Sequence, residues 1–208
     1  MLKFSKVRKQ FNSRVILDIP TLDLDSNLYW VQGQNGSGKS TFLRMVAGII
    51  PFDGQIAFGN VDSKLHPVAY RQNISWADAE PLYPPFLSGQ ELLEFYVKLR
   101  GTPVKDAQEL IDRIGIREFI DSRTGTYSSG TLKKLSLLLA FVGSPPIILL
   151  DEPLVTLDTV AVKSICDIVK EMQLSGSLLL VSSHLEHDAL VSLSNKRLHV
   201  TNHTITLS

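Results

Sequence analysis

Apolar residues change their spacing three times along the chain. In roughly the first 80 residues they fall in short runs that predict strands around Leu2 to Val7, Val15 to Asp18, Leu28 to Gln32, Gln55 to Ala57 and Ile74 to Trp76. One helix interrupts them, starting near Lys39 and closed by Gly48, with Pro51 just beyond. From Ser88 to about Asp121 the pattern turns helical: Leu92, Leu93, Phe95, Tyr96 and Leu99 recur at helical spacing, then Leu110, Ile111, Ile114 and Ile116. After Gly130 helix and buried strand alternate, with a helix over 131–142, a strand over 147–150, a helix over 158–172, a strand over 178–182 and short strands at the end. The runs IILL and LLLV carry no polar alternation, which suits parallel strands covered on both faces. The pattern therefore predicts an α/β fold with a three-layer core and a helical insert.

Composition narrows what such a fold can do. The 208 residues hold 21 Lys+Arg against 21 Asp+Glu and are 44% hydrophobic, enough for a real core and too balanced to draw the molecule onto nucleic acid. The longest apolar stretch, Leu137 to Val142, is far short of the ~20 residues that cross a bilayer. The start, MLKFSKVRKQF, alternates basic and apolar residues and reads as a cytoplasmic strand rather than a secretion signal. A lone Cys166 permits no internal disulfide, and its spacing with Val162, Ile165, Val169 and Met172 assigns it to a core face.

The segment Gly33, Gln34, Asn35, Gly36, Ser37, Gly38, Lys39, Ser40, Thr41 satisfies GxxxxGK[ST] between an apolar strand and a helix, the context a phosphate-binding P-loop needs. Glycines let successive backbone N–H groups turn inward, and the helix N-terminus adds positive potential beneath a phosphate. Lys39 would bridge β- and γ-phosphates, and Ser40 would ligate Mg²⁺. Further on, IILLDEP ends a buried strand with Asp151, suited to the metal, and Glu152, suited to activating water.

With these motifs in this order the chain resembles the nucleotide-binding subunits of ATP-binding cassette (ABC) transporters. TYSSGTLKKLSLLLA resembles that family's signature motif, with Ser128, Ser129 and Gly130 where Ser-Gly-Gly is usual, and Gly130 lies 21 residues before Asp151. The resemblance implies a P-loop NTPase with a mixed, mostly parallel sheet, an N-terminal antiparallel β subdomain and a helical subdomain. All 208 residues would form a single domain, with the core over about 1–83 and 131–208 and the helical part over about 84–130. It implies Mg²⁺-dependent ATP hydrolysis, with the signature motif acting in trans on ATP held by a second cassette. It also implies that Asp158 is the D-loop contact, His184 the switch histidine and Phe11 the adenine platform. Residue by residue, Asp158 could equally cap the next helix and Phe11 could be a core aromatic. His66, His187, His199 and His203 carry no comparable argument.

The pattern departs from the family where a glutamine is expected between core and insert. Alignment on LSGQELL puts Ala79 there, flanked by Asp78 and Glu80, which could approach Mg²⁺ but would repel phosphate. Coupling to the partner is expected to be altered more than ATP affinity. The implied partners are a membrane-spanning transporter subunit and a second cassette, with no nucleic acid. The chain would then be cytoplasmic and peripheral on the inner face of the plasma membrane, with Leu82 to Phe86 as candidate docking residues. A soluble ABC-type ATPase of cofactor assembly and a nucleotide-gated switch are the alternatives.

Overall fold

Strand β1 (Leu2–Phe11) buries Leu2 and Phe4 in alternation, and an irregularity at Lys6, at φ 49°, shifts the register so that Val7 and Lys9 are buried next. It pairs antiparallel with β2 (Arg14–Leu24), and both run longer than the apolar pattern predicts because backbone pairing continues through polar positions such as Lys9 and Asp23. The computed structural model describes residues 1–183, 190, 193, 194 and 196–208. In it, β3 (Leu28–Gln32) leads through the glycine-rich loop into helix α1 (Lys39–Val46). Strands β4 (Asp53–Phe58) and β5 (Val61–Asp62) complete a four-stranded antiparallel sheet in the order β2-β1-β4-β5.

Helix α2 (Pro67–Gln72) then precedes β6 (Ile74–Ala77). The sequence pattern does not resolve β5 or α2, since two and six residues are too few to establish a period. Helices α3 (Gly89–Arg100) and α4 (Val104–Ile114) form the insert. A capping box between Ser88 and Glu91 starts α3, and Gly101 and Gly115 end the two helices in left-handed conformation. Helix α5 (Ser129–Phe141), β7 (Ile147–Asp151), α6 (Thr159–Leu174), β8 (Leu178–Ser182) and the hairpin of β9 (Lys196–Thr201) and β10 (Thr204–Leu207) follow.

The second sheet runs β10-β9-β3-β8-β7-β6, parallel except for the β9–β10 hairpin. Because side chains alternate across a strand, its central strands feed two cores. Tyr29, Val31, Ile147, Leu149, Leu178 and Leu180 pack toward the antiparallel sheet and α1. Leu28, Trp30, Ile148, Leu150, Leu179 and Val181 pack toward α3 to α6. This is why IILL and LLLV show no polar alternation, and it gives the three layers that the sequence predicts. Cys166 is buried in the helical-side core. Arg100, at the end of α3, donates to the carbonyls of Gln72 and Ile74 and to Ser75 Oγ, fastening the insert to the root of β6.

Candidate active site

Parallel strands all end on one side, so β3, β7 and β8 deliver their following residues to one sheet edge. The loop after β3 curls as its glycines permit, with Gly36 and Gly38 at positive φ. Gly33 is required for a different reason: a Cβ there would stand 2.5 Å from Ser37 Oγ and 2.7 Å from the Val200 carbonyl oxygen. Lys39, only 8% exposed, donates to the carbonyls of Gly33 at 2.8 Å and Gln34 at 3.3 Å. Ser37 Oγ is buried with no hydrogen-bond partner among the described residues. A glycine-rich loop at a helix N-terminus, with a poised ammonium and an unused hydroxyl, fits a polyphosphate.

Two strands away, Asp151 is 1% exposed. One carboxylate oxygen accepts from Ser182 Oγ at the end of β8, while Oδ2 has no partner among the described residues. A buried carboxylate oxygen left open costs several kcal/mol unless a cation or donor meets it. The residues present therefore fit Mg²⁺ held by Asp151, Ser40 and phosphate oxygens. Such a site would not register as a protein cage, and no group of three or more His, Cys, Asp or Glu that could hold a metal occurs among the described residues.

Glu152 adopts φ 48°, the left-handed region, and its N–H donates to the Ser182 carbonyl at 3.1 Å. This anchored backbone is held in a sparsely populated conformation, and strain of this kind gathers at functional sites. Ser182 was not anticipated. Its only sequence signal is a serine closing an otherwise apolar strand.

Ser128 caps α5, accepting from the Thr131 N–H at 3.1 Å, and both Ser128 and Ser129 are exposed. Gly130 leaves no room for a side chain, since a Cβ would lie 2.9 Å from the Thr156 carbonyl oxygen. Asp158 caps α6 through the Ala161 N–H at 2.8 Å and pairs with Lys134 at 3.0 Å. The Ala161 N–H and then Lys134 hold its carboxyl below the ordinary value of 3.8. His184 lies outside the described residues.

One alternative offered by the sequence needs correction. Phe11 is not a core aromatic: it is 50% exposed, with Lys9 Nζ 4.5 Å from its ring centroid. The cleft of about 390 Å³ beside the P-loop is lined by Arg14 and Ile16 of the same hairpin, by Gln34 to Ser37, and by Val200 to His203. His203, which the sequence left without a role, thus borders this cleft at the β9–β10 turn. The carboxylate of Asp78, which the sequence offers as a metal approach, takes Arg44 at 3.4 Å and Trp76 Nε1 at 3.3 Å.

Beside Ala79 stands a residue the motif reading passed over. Lys133 of α5 is 2% exposed and donates to the carbonyls of Asp78 and Ala79, each at 2.8 Å, and of Asp151 at 3.2 Å. Burial pushes its pKa down to about 8, with Asp151, Asp78, Glu152 and Glu80 opposing that shift. A lysine three residues ahead of Ser136 and seven ahead of Ala140, on the buried face of α5, was its available signal.

Comparison with known proteins agrees with this geometry. The ABC transporter family model matches residues 23–155. The chain is 34% identical over 161 residues to human glucosylceramide transporter ABCA12, covering 74% of this chain and 6% of that protein. It is 26% identical over 190 residues to the linearmycin resistance ATP-binding protein LnrL of Bacillus subtilis strain 168, covering 88% of this chain and 61% of that one. The chain thus spans less than two thirds of these relatives' lengths. Among solved structures, an ATP-binding subunit of an ABC transporter superposes with TM-score 0.91 at 21% identity, over 100% of this chain and 89% of that one. A dimeric ATP-binding cassette in a post-hydrolysis state with ADP and Pi superposes with TM-score 0.86 at 20% identity, over 100% and 98%. A family match over more than half the sequence, on a fold whose P-loop and acidic strand end share one sheet edge, places this chain in the ABC transporter family as an ATP-binding domain.

Proposed function

We propose that the chain hydrolyses ATP in a sandwich of two cassettes and so powers a separate membrane-spanning subunit that moves a substrate. The observation that carries this reading is the open Oδ2 of buried Asp151 on the same sheet edge as the P-loop. Backbone donors of Gly33 to Thr41, Asn35 and Gly38 among them, would cradle the phosphates, and Lys39 would leave its own loop's carbonyls for the β- and γ-phosphates. Asp151 and Ser40 would hold Mg²⁺, which when bound neutralises phosphate charge. Glu152 would orient water and accept its proton, with His184 completing the γ-phosphate contacts. The base would stack on the exposed Phe11 ring, beside the hairpin residues that line the cleft.

Exposure of Ser128 and Ser129 at the N-terminus of α5 supports a role in trans, on nucleotide held by a second cassette. Two features support the membrane partner: Leu82 and Phe86 are 92% and 69% exposed, and separately Val68, Trp76, Phe95, Tyr96 and Leu99 line a cavity of about 570 Å³. Tyr83, by contrast, packs against the helical-side core. Among the described residues no helix is long and apolar enough to cross a membrane, so attachment to the inner face of the plasma membrane would run through that partner.

The test is Mg²⁺-dependent ATP turnover by the purified chain across protein concentrations. The specific rate should rise with concentration, and Glu152→Gln and Lys39→Ala should abolish it. Binding should survive Glu152→Gln and be lost in Lys39→Ala. A wild-type chain that binds no ATP would sink the proposal.

A further inference from the structure

The loop after β6 is rooted in two carbonyls, Asp78 and Ala79, that lie beyond the last residue of that strand and so have no place in its ladder. The Asp151 carbonyl belongs to the last residue of β7, the final position of that strand's register with β8. Such groups need partners when water is excluded. A lysine ammonium has three protons to donate, and Lys133 Nζ meets these three carbonyls, at 2.8, 2.8 and 3.2 Å. The donor count and the acceptor count match, at a position 2% exposed.

What the three carbonyls belong to gives this contact its meaning. Asp78 and Ala79 begin the loop that presents Leu82 and Phe86 to solvent. Asp151 carries the open carboxylate and precedes strained Glu152. Lys133 itself sits in α5, five residues after the Ser128 cap. Ala79 has no side chain able to reach any of these groups, so the grip on this loop is on its backbone. Leu132 and Leu135, the apolar neighbours on α5, could offer nothing to a carbonyl.

We propose that Lys133 is a positioning residue that couples the partner-facing loop to the hydrolytic carboxylates, so that pressure on the loop at Leu82 and Phe86 alters the placement of Asp151 and Glu152. This rests on the ATPase reading above and adds the route by which the partner controls it. Lys133 touches no reacting atom in this account. It acts through the backbone of Asp78, Ala79 and Asp151.

The experiment compares the full chain with Lys133→Met, Lys133→Arg and Leu135→Ala, the last being a cavity variant that loosens the same helix without touching the carbonyls. Amide hydrogen exchange, read without nucleotide, should speed up about tenfold or more over residues 78–83 and 151–157 in Lys133→Met and stay at wild-type rates over 28–32 and 178–182. In turnover, kcat should fall about tenfold while KM for ATP stays within about twofold, and Lys133→Arg, which also donates to carbonyls, should recover most of the loss. Unchanged exchange over both segments would overturn the inference. So would exchange that rises evenly along the chain as in Leu135→Ala, or a KM that rises in step with the loss of kcat. Should Lys133→Met fail to fold, Lys133→Arg decides by the same exchange comparison, which expects its two segments to lie near wild type. A wild-type chain that turns over no ATP would count against the ATPase reading, whereas the nucleotide-free exchange comparison would still decide this inference.

Discussion

Asp151 and Gly33 show how single residues are committed to the site at a cost to the fold. A carboxylate buried to 1% exposure with an open oxygen is destabilising in the absence of a cation. Asp151→Asn keeps the shape and can still accept from Ser182, so its unfolding midpoint should match or exceed that of wild type. Its Mg²⁺-dependent turnover should nevertheless fall about a hundredfold or more, and chelation of the metal should abolish turnover in the wild-type chain. Thermal melts beside ATPase assays check both halves, and a variant destabilised along with its lost activity would refute this account of Asp151. Gly33 is constrained by space instead. Gly33→Ala would push a methyl into Ser37 Oγ and the Val200 carbonyl, and backbone cannot swing aside as a side-chain tip can. ATP affinity should drop at least about tenfold, measured by fluorescent-nucleotide titration, because the displaced loop no longer points its donors inward.

At the scale of elements, the N-terminus of α6 offers a separable test. Asp158 caps that helix, and the Ala161 N–H and Lys134 hold its carboxyl below 3.8. A depressed acid pKa means that the unfolded chain binds more protons in acid. The stabilisation is therefore complete above the ordinary value of 3.8 and is lost as pH falls through the lowered folded value. Asp158→Ala should cost about 1 kcal/mol at neutral pH, while Asp158→Asn, an equally good cap, should cost less and remove this part of the acid dependence. Denaturant melts at pH 7 and near pH 3 check the sign. Elements also show what the sequence could and could not reveal. Strands β3 and β8 were legible to the residue, because Leu28–Gln32 and Leu178–Ser182 are bounded by turn residues and buried on both faces. β5 and α2 were not, since at two and six residues neither completes two hydrophobic periods. The P-loop and the Asp-Glu pair were legible because their chemistry requires adjacent residues. Lys133, Ser182 and the lining by His203 were not, since each acts across a long sequence separation that only the folded sheet edge closes.

Taken whole, the molecule packs most of its apolar residues into two cores and yet leaves several large ones uncovered. Val68, Leu82, Phe86, Phe95 and Leu99 are 65%, 92%, 69%, 62% and 59% exposed, and they come from α2, the loop after β6, and α3. Scattered apolar exposure is ordinary, but here Val68, Phe95 and Leu99 line one groove with Trp76 and Tyr96. Arg71 and Arg100 border it, the latter already engaged at the root of β6. If the groove exists to be covered, its apolar residues contribute little to the isolated chain. Phe95→Glu and Leu99→Glu should therefore shift stability by no more than about 0.5 kcal/mol, the range usual for surface positions. Each should lower the fluorescence of an apolar-surface dye bound to the chain, and each should weaken joint purification with the membrane subunit in detergent. A melting temperature that collapses in both variants would instead make these residues part of the fold. In that case the docking surface would have to be sought at Leu82 and Phe86 alone, whose exposure no packing in the chain accounts for.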